Sequence, residues 1–425
     1  MQQQIKGNLL LEPYKVLDLT EGGFMISGKI LADLGANVIK IEPPWGSRSR
    51  DIGPFYQDIA DREKSLFWFA YNANKKSITL DLETVDGQDI FRKLANSADV
   101  VLESFKPGYL DNLGIGYKTL RQLNPSLIMT SVTPFGQDGP KAWYNSSELA
   151  VWASAGILYI SGDPDRPPSW VSYPQSYLHG GAQAAAGTLL ALYHRRSLDA
   201  GQYVDVSTQA CLVKTITNAH LMWEMMHKEI VRIGIGWGVG TSGRKGSAKL
   251  GFRCKDGFVA VNLFGGGSRG IVEATRRVVK WMDEEGMAPK WFRDFDWVHD
   301  YDWTKVSQET VYKVEEQWSR FFLTKTKAEL FEEAIKRRLP IAPANNSKDL
   351  MESPQLNDRG FWQKVEHPEL HEKLTYCGSF ARISGASLDI RRRAPLIGEH
   401  NIEVYENELG YSRDDLILLM QAGAI

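Results

Sequence analysis

The chain has 425 residues, 43% of them hydrophobic, and its 50 Lys and Arg against 52 Asp and Glu leave a formal net charge of −2. That length can bury a large core and predicts two domains, while so even a charge balance gives no reason to expect nucleic acid or an anionic membrane as a partner. Cys211, Cys254 and Cys377 are widely spaced with no CxxC pattern, which predicts reduced thiols in a cytoplasmic protein and no cysteine-based metal site.

The first fifteen residues lack the long apolar core of a signal peptide. No uninterrupted apolar run reaches about 18 residues, so no membrane span is expected. Residues 14–42 read strand, helix, strand: YKVLDLT, a helix through Ile30 to Leu34, a cap at Gly35, then NVIKIE. Strands apolar on both faces suit a buried parallel sheet. A second unit follows with SITLDL (77–82), a helix near 85–96 and DVVLES (99–104), and SLIMTSV (126–132) supplies another strand. Alternation of this kind predicts an α/β fold with an open, doubly wound parallel sheet. From about 225 to 330 the chain turns to aromatics, charges and Gly-rich turns, with Trp clustered between 281 and 318. A smaller inserted domain is expected there. The boundaries read 1–222 for the first part of the large domain, 223–330 for the insert and 331–425 for the return, with a last helix over 413–422.

The first strand, the turn Glu21-Gly22-Gly23-Phe24 and the acid Glu42 about 20 residues on resemble a dinucleotide site. The turn has no GxGxxG, however, so a pyrophosphate would lack its close backbone approach. A different segment is more telling. Tyr173 to Ser207 reads as a turn, a helix of small residues, a basic hinge and a strand. Gly180, Gly181 and Gly187 each cost that helix about 1 kcal/mol against Ala, which predicts close packing against other backbone.

In that segment ALYHR (191–195) and GQYVDVS (201–207) stand in register, with Gly181 and Gly187 at fixed distances before them. Further stretches run along the chain: LADLGANVIKIEPPWG (31–46), NKKSITLDL (74–82), ADVVLESFKPGYLDNLGIGY (98–117), LNPSLIMTSVTPFGQDGP (123–140), LPIAPANNSKDLMESPQLNDRGFW (339–362) and RRAPLIGEHNIEV (392–404). Together they resemble the class III CoA-transferases, the CaiB/BaiF family of formyl-CoA transferase and carnitine CoA-transferase type. The resemblance implies a Rossmann-like large domain built from both chain ends, a small inserted α+β domain, and two chains interlocked like links. It also implies transfer of CoA from an acyl-CoA to a carboxylic acid, with CoA thioesters as substrates and no permanently bound cofactor. In the family an Asp attacks the thioester, gives a mixed anhydride and becomes an aspartyl-CoA thioester.

The family Asp falls at position 177, which is Tyr. A phenol with a pKa of about 10 is a poor substitute for that carboxylate. Phe24-Met25 replace a family Gly-Pro pair, and Pro43, Glu83 and Asn112 stand where relatives carry cations for the CoA phosphates. By resemblance, CoA contacts fall on Leu80, Ser104, Phe105 and Lys106. A loop with Gly265, Gly266 and Gly267 closes over the thioester, its free N–H groups suiting an oxyanion; a plain hairpin turn is the other reading of that loop. Glu148 retains in kind an acid of the family and is the substitute nucleophile, if one exists. His179 reads as a satisfied polar group or a base, and Arg391-Arg392-Arg393 as a solvated face or a phosphate contact.

Three functions follow. The first is a non-catalytic subunit of a heteromeric CoA-transferase whose paralogous partner keeps the Asp, with succinyl-CoA as donor and benzylsuccinate as acceptor, the aromatic-rich insert lining an aryl pocket. The second is an active homodimer using Glu148. The third is an acyl-CoA-binding scaffold without turnover.

Overall fold

The computed structural model describes residues 9–232, 236–237, 248–266 and 269–425. The chain divides into two compact units. The larger takes the chain up to Ala155, Val171–Thr215 and Gln355–Ile425, and the smaller takes Gly156–Trp170 and Ile216–Pro354.

The large unit is built on six parallel strands: β1 (Lys15–Leu19), β2 (Asn37–Glu42), β3 (Lys76–Thr79), β4 (Val100–Glu103), β5 (Ile128–Thr133) and β6 (Tyr203–Ser207). Their order is β3-β2-β1-β4-β5-β6, so the winding reverses between β1 and β4. The α/β, doubly wound parallel sheet expected of the sequence is thus present. Nearly every residue of β1, β2, β4 and β5 is buried, which accounts for their apolar character on both faces. The helices Val85–Asn96 and Arg413–Gln421 form where the sequence predicts them. The third strand is shorter than SITLDL: it stops at Thr79, and Leu80 to Glu83 leave the sheet.

The small-residue helix runs from Ser176 to Leu198. A Cβ on Gly181 would come within 2.6 Å of the Ile26 side chain and 3.0 Å of the Phe24 carbonyl, and one on Gly180 within 2.6 Å of Thr208. The glycines admit the turn after β1 and the start of the helix Thr208–Thr215, as their cost in helix propensity predicts.

Two buried ion pairs brace the carboxyl ends of β1 and β2. The Asp18 carboxylate lies 2.7 Å from the Lys75 ammonium, both out of contact with water. Lys75 also donates to the Met25 carbonyl at 2.8 Å and to Asn72 at 3.0 Å. Burial alone would raise the Asp18 pKa, but Lys75 and Lys40 outweigh it and hold the carboxyl below its ordinary value; burial draws Lys75 down to about 8. Glu42 grips Arg50 through both oxygens, at 2.7 and 2.8 Å, and Arg50 lies 3.8 Å over the Trp68 ring.

The small unit contains the antiparallel sheet β9 (Gly251–Cys254), β10 (Gly257–Val261) and β11 (Ile341–Ala344), besides the short pair β7 (Gly236–Trp237) and β8 (Ala248–Lys249). Because β11 pairs with β10, residues beyond 330 belong to this unit, and the expected return at 331 moves to Gln355. Its aromatic cluster is also core and not pocket. Trp281, Trp297, Trp303 and Trp318 are 1–8% exposed, and Phe292 meets Trp297 and Trp318 edge-on at 5.4 and 4.9 Å. The expectation that these rings line an aryl site is therefore corrected: burying so large an apolar area is how a unit of this size stabilises itself. Strands β12 (Trp362–His367) and β13 (Glu372–Cys377) form a hairpin in the large unit.

Replacing Lys75 by Met is expected to destabilise the fold by about 3–5 kcal/mol, because it leaves Asp18 buried without its cation. The measurement is urea unfolding; an unchanged midpoint would show that the pair braces nothing.

Candidate functional site

The reversal of winding between β1 and β4 opens a crevice at the carboxyl ends of the strands, where open α/β sheets take their ligands. A cavity of about 640 Å³ lies there. Leu19 and Glu21 after β1, Glu42 and Pro43 after β2, Leu80 to Glu83 after β3, and Phe105 after β4 all face it. Two of the expected CoA contacts, Leu80 and Phe105, are thereby brought together. Ser104 stands beside them and accepts a hydrogen bond from the Glu21 N–H at 3.0 Å.

The charge in this crevice does not favour phosphates. Glu21, Asp81 and Glu83 line it against one cation, Arg48. Glu21 is held by Ser47 at 2.6 Å and by Ser49. Pro43 and Glu83, at positions where the resemblance places cations, both face the cavity, and Asn112 is exposed. Glu42 is fully engaged by Arg50, Ser47 and Ser77, so no carboxylate oxygen is left to read a ribose. That closes the dinucleotide reading on geometry. Arg391 and Arg393 are tied internally, to the Ala32 carbonyl at 2.7 Å and to Glu369 and Glu399 at 2.8 Å.

Tyr177 lies in the first turn of the helix Ser176–Leu198. Its ring stacks on Phe24 with centroids 4.4 Å apart and planes 29° from parallel. A Cβ on Gly23 would come within 2.8 Å of the Tyr177 Cβ, so the turn after β1 presses directly on this side chain. Burial, reinforced by the charge of Glu148, pushes its pKa up to about 12. At neutral pH it is a neutral phenol packed in an aromatic pair and carries no nucleophilic anion.

Glu148, the candidate replacement, opens the helix Glu148–Ser154 and turns its carboxylate to the neighbouring helix start. Oε1 accepts from the Gln175 and Ser176 N–H groups, each at 2.5 Å, and Oε2 accepts from the Ser176 hydroxyl at 2.5 Å and the Tyr177 N–H at 3.1 Å. Both oxygens thus satisfy donors that a helix start leaves without an internal partner, and the negative charge suits that end of the helix dipole. His179 is exposed one turn further on.

In the small unit Gly265 and Gly266 pack against the turn Trp297–Tyr301. A Cβ on Gly265 would fall 2.2 Å from the Trp297 carbonyl oxygen, and Gly266 has φ +71° and donates its N–H to that same oxygen at 2.9 Å. Both glycines therefore have a local packing reason. Gly267, the third expected member of the loop, lies outside the described residues. Among the described residues no group of three or more His, Cys, Asp or Glu could hold a metal, and no helix is long and apolar enough to cross a membrane.

Sequence reading missed a second cavity. Lys106, expected beside Ser104 and Phe105, faces a separate space of about 300 Å³ whose floor is Glu103. Glu103 is the last residue of β4 and read there as one more strand residue, since no spacing in the sequence ties it to Ser131 and Tyr203 on the neighbouring strands. Burial pushes its carboxyl up to about 7.

The chain was compared with known proteins on these grounds. The model of CoA-transferase family III matches residues 11–401. The succinyl-CoA:(R)-benzylsuccinate CoA-transferase subunit BbsE of Thauera aromatica is 34% identical over 418 residues, 97% of each chain. A formyl-CoA:oxalate CoA-transferase of Streptomyces avermitilis is 32% identical over 98% of this chain and 99% of its own. The crystal structure of a CaiB/BaiF family protein from Brucella suis shares the fold with a TM-score of 0.78 at 24% identity, covering 95% of this chain and all of that one. With that family model spanning residues 11–401 and a relative 34% identical over 97% of both chains, the chain belongs to CoA-transferase family III.

Proposed function

We propose that this chain is the non-catalytic subunit of a heteromeric class III CoA-transferase, in the cytoplasm, whose paralogous partner supplies the aspartate. One observation carries the reading: Tyr177, at the position where the resemblance places the family's Asp, is stacked on Phe24 and un-ionised at neutral pH. Transfer of CoA through an enzyme-bound thioester needs a side-chain carboxylate, which attacks the acyl carbonyl as the thiolate leaves; the thiolate then attacks the side-chain carbonyl of the resulting mixed anhydride and releases the donor acid. A phenol offers no acyl carbon to which CoA could be attached. The acid surplus of the switch-point crevice supports the same reading, because three CoA phosphate groups call for cations.

A relative described as a subunit of a benzylsuccinate CoA-transferase supports a two-chain assembly, with the two large domains interlocked. It also makes succinyl-CoA the first donor to try and (R)-benzylsuccinate the first acceptor. The chain persists in such an assembly because an isologous interface cannot lose one partner without exposing the other.

The test is CoA exchange between succinyl-CoA and candidate carboxylic acids, with this chain alone and co-expressed with a family paralogue that keeps the Asp. Activity is expected only in the co-expressed complex and unchanged by Tyr177→Phe. Turnover by the chain alone would overturn the proposal.

The Glu148 reading makes a different prediction. Its four accepted hydrogen bonds assign it to capping, so Glu148→Gln turns an N–H donor toward N–H donors. The variant is expected to lose about 1.5–3 kcal/mol of stability, read by thermal unfolding. A glutamyl-CoA thioester trapped on this chain by mass spectrometry during turnover would instead make Glu148 the nucleophile. Tight CoA binding by the isolated chain with no activity in any complex would favour the scaffold.

A further inference from the structure

The cavity lined by Glu103 also holds Lys106. We propose that it is a binding site for a small aryl carboxylate, held with its ring against an aromatic wall and its anionic group at two lysines; this inference rests on the reading just given in that its ligand is of the acceptor's chemical class. Its walls come from three neighbouring strands and two loops of the large unit, so its shape is set by the sheet. Tyr117 and Tyr203 stand with ring centroids 5.3 Å apart on one side, and Trp143, 65% exposed, reaches over Gly108 on the other. Exposing an indole to water beside an apolar hollow is unfavourable unless something covers it.

The polar groups point to an anion. Lys106 and Lys118 stand at the cavity, and among the described residues neither ammonium has a carboxylate partner. Gln137 also lines it. At the floor Glu103 accepts from the Phe105 N–H at 2.6 Å, and the Tyr203 hydroxyl donates to Ser131 at 2.8 Å beside it. The volume of about 300 Å³ is at the low end for a small-molecule site, which suits one ring with a short acid arm and excludes a whole CoA.

Ionisation of Glu103 controls the charge under the ligand. Burial raises its pKa to about 7, with Asp111 and Asp205 adding to the rise. Hydrogen bonds from Ser131 and from the Phe105 N–H act in the opposite sense, and Tyr109, Tyr117 and Tyr203 stay neutral because burial raises all three. Below about pH 7 the floor is a neutral acid that can donate to the ligand. Above it the floor is an anion that repels the ligand, so affinity falls as pH rises.

Phenylacetate is the probe, titrated by calorimetry into the full-length protein, alone or in its complex. Saturable binding at pH 6 is expected to weaken about tenfold by pH 8.5. Glu103→Gln should abolish that pH dependence, and Lys106→Met and Lys118→Met, both at exposed positions, should each weaken binding about fivefold. If Glu103→Gln fails to fold, the two lysine variants still decide. Absence of saturable binding at pH 6, affinity unchanged in both lysine variants, equal affinity for neutral benzamide, or tighter binding of adenosine monophosphate would each overturn the proposal.

Discussion

The ion pair between Asp18 and Lys75 is the constraint on which the site depends. It sits without water at the carboxyl end of β1, and Lys75 reaches from there to the Met25 carbonyl. Through that bond the turn Glu21 to Met25 is fixed to the sheet, and the turn in turn places Glu21 in the crevice and Phe24 against Tyr177. The Asp18 carboxylate also lies where a Cβ on Gly28 would stand, 2.1 Å away, so the helix Ile26–Asp33 must carry a residue without a side chain at its third position. A buried ion pair of this kind adds little net stability, but it rules out other arrangements because either charge alone would be stranded.

The second pair, Glu42 with Arg50, performs the same task at the end of β2. It explains why an acid at the end of the second strand is no sign of nucleotide binding here: the carboxylate faces inward and ties the Ser47–Arg50 turn to β2 and β3. Spacing alone puts Glu42 in a ribose-binding position; only the partner reveals its work.

What was legible in the sequence follows from where the information is local. The sheet, its winding and the close-packed helix were readable because apolar runs, caps and glycines act within a few residues. That the resemblance places the family Asp at Tyr177 was readable because the matched motifs flank that position at fixed spacing. The contact between Phe24 and Tyr177 was not, since 153 positions separate them and each residue by itself reads as core. Glu103 was hidden for the same reason: its register partner Ser131, which in turn accepts from the Tyr203 hydroxyl, comes from a strand that becomes its neighbour only in the folded sheet. The small unit misled in the opposite way, because a dense cluster of Trp looks like a pocket and is a core.

The aromatic pair is a packing device in its own right. A small residue at position 177 would leave a hollow between the helix start and the turn after β1, and a hollow costs the contacts on both its walls. Tyr177 instead fills that space and stacks on Phe24, while the adjacent helix start keeps its charge from Glu148. Position 24 and position 177 therefore act as one unit, and each ring is the packing surface of the other. An Asp placed at 177 in this setting would stand against the Phe24 ring and beside the Glu148 carboxylate, where burial and like charge both disfavour its ionised form. Seating a carboxylate at this position therefore requires reshaping the turn as well as the helix, because each ring is held by the other.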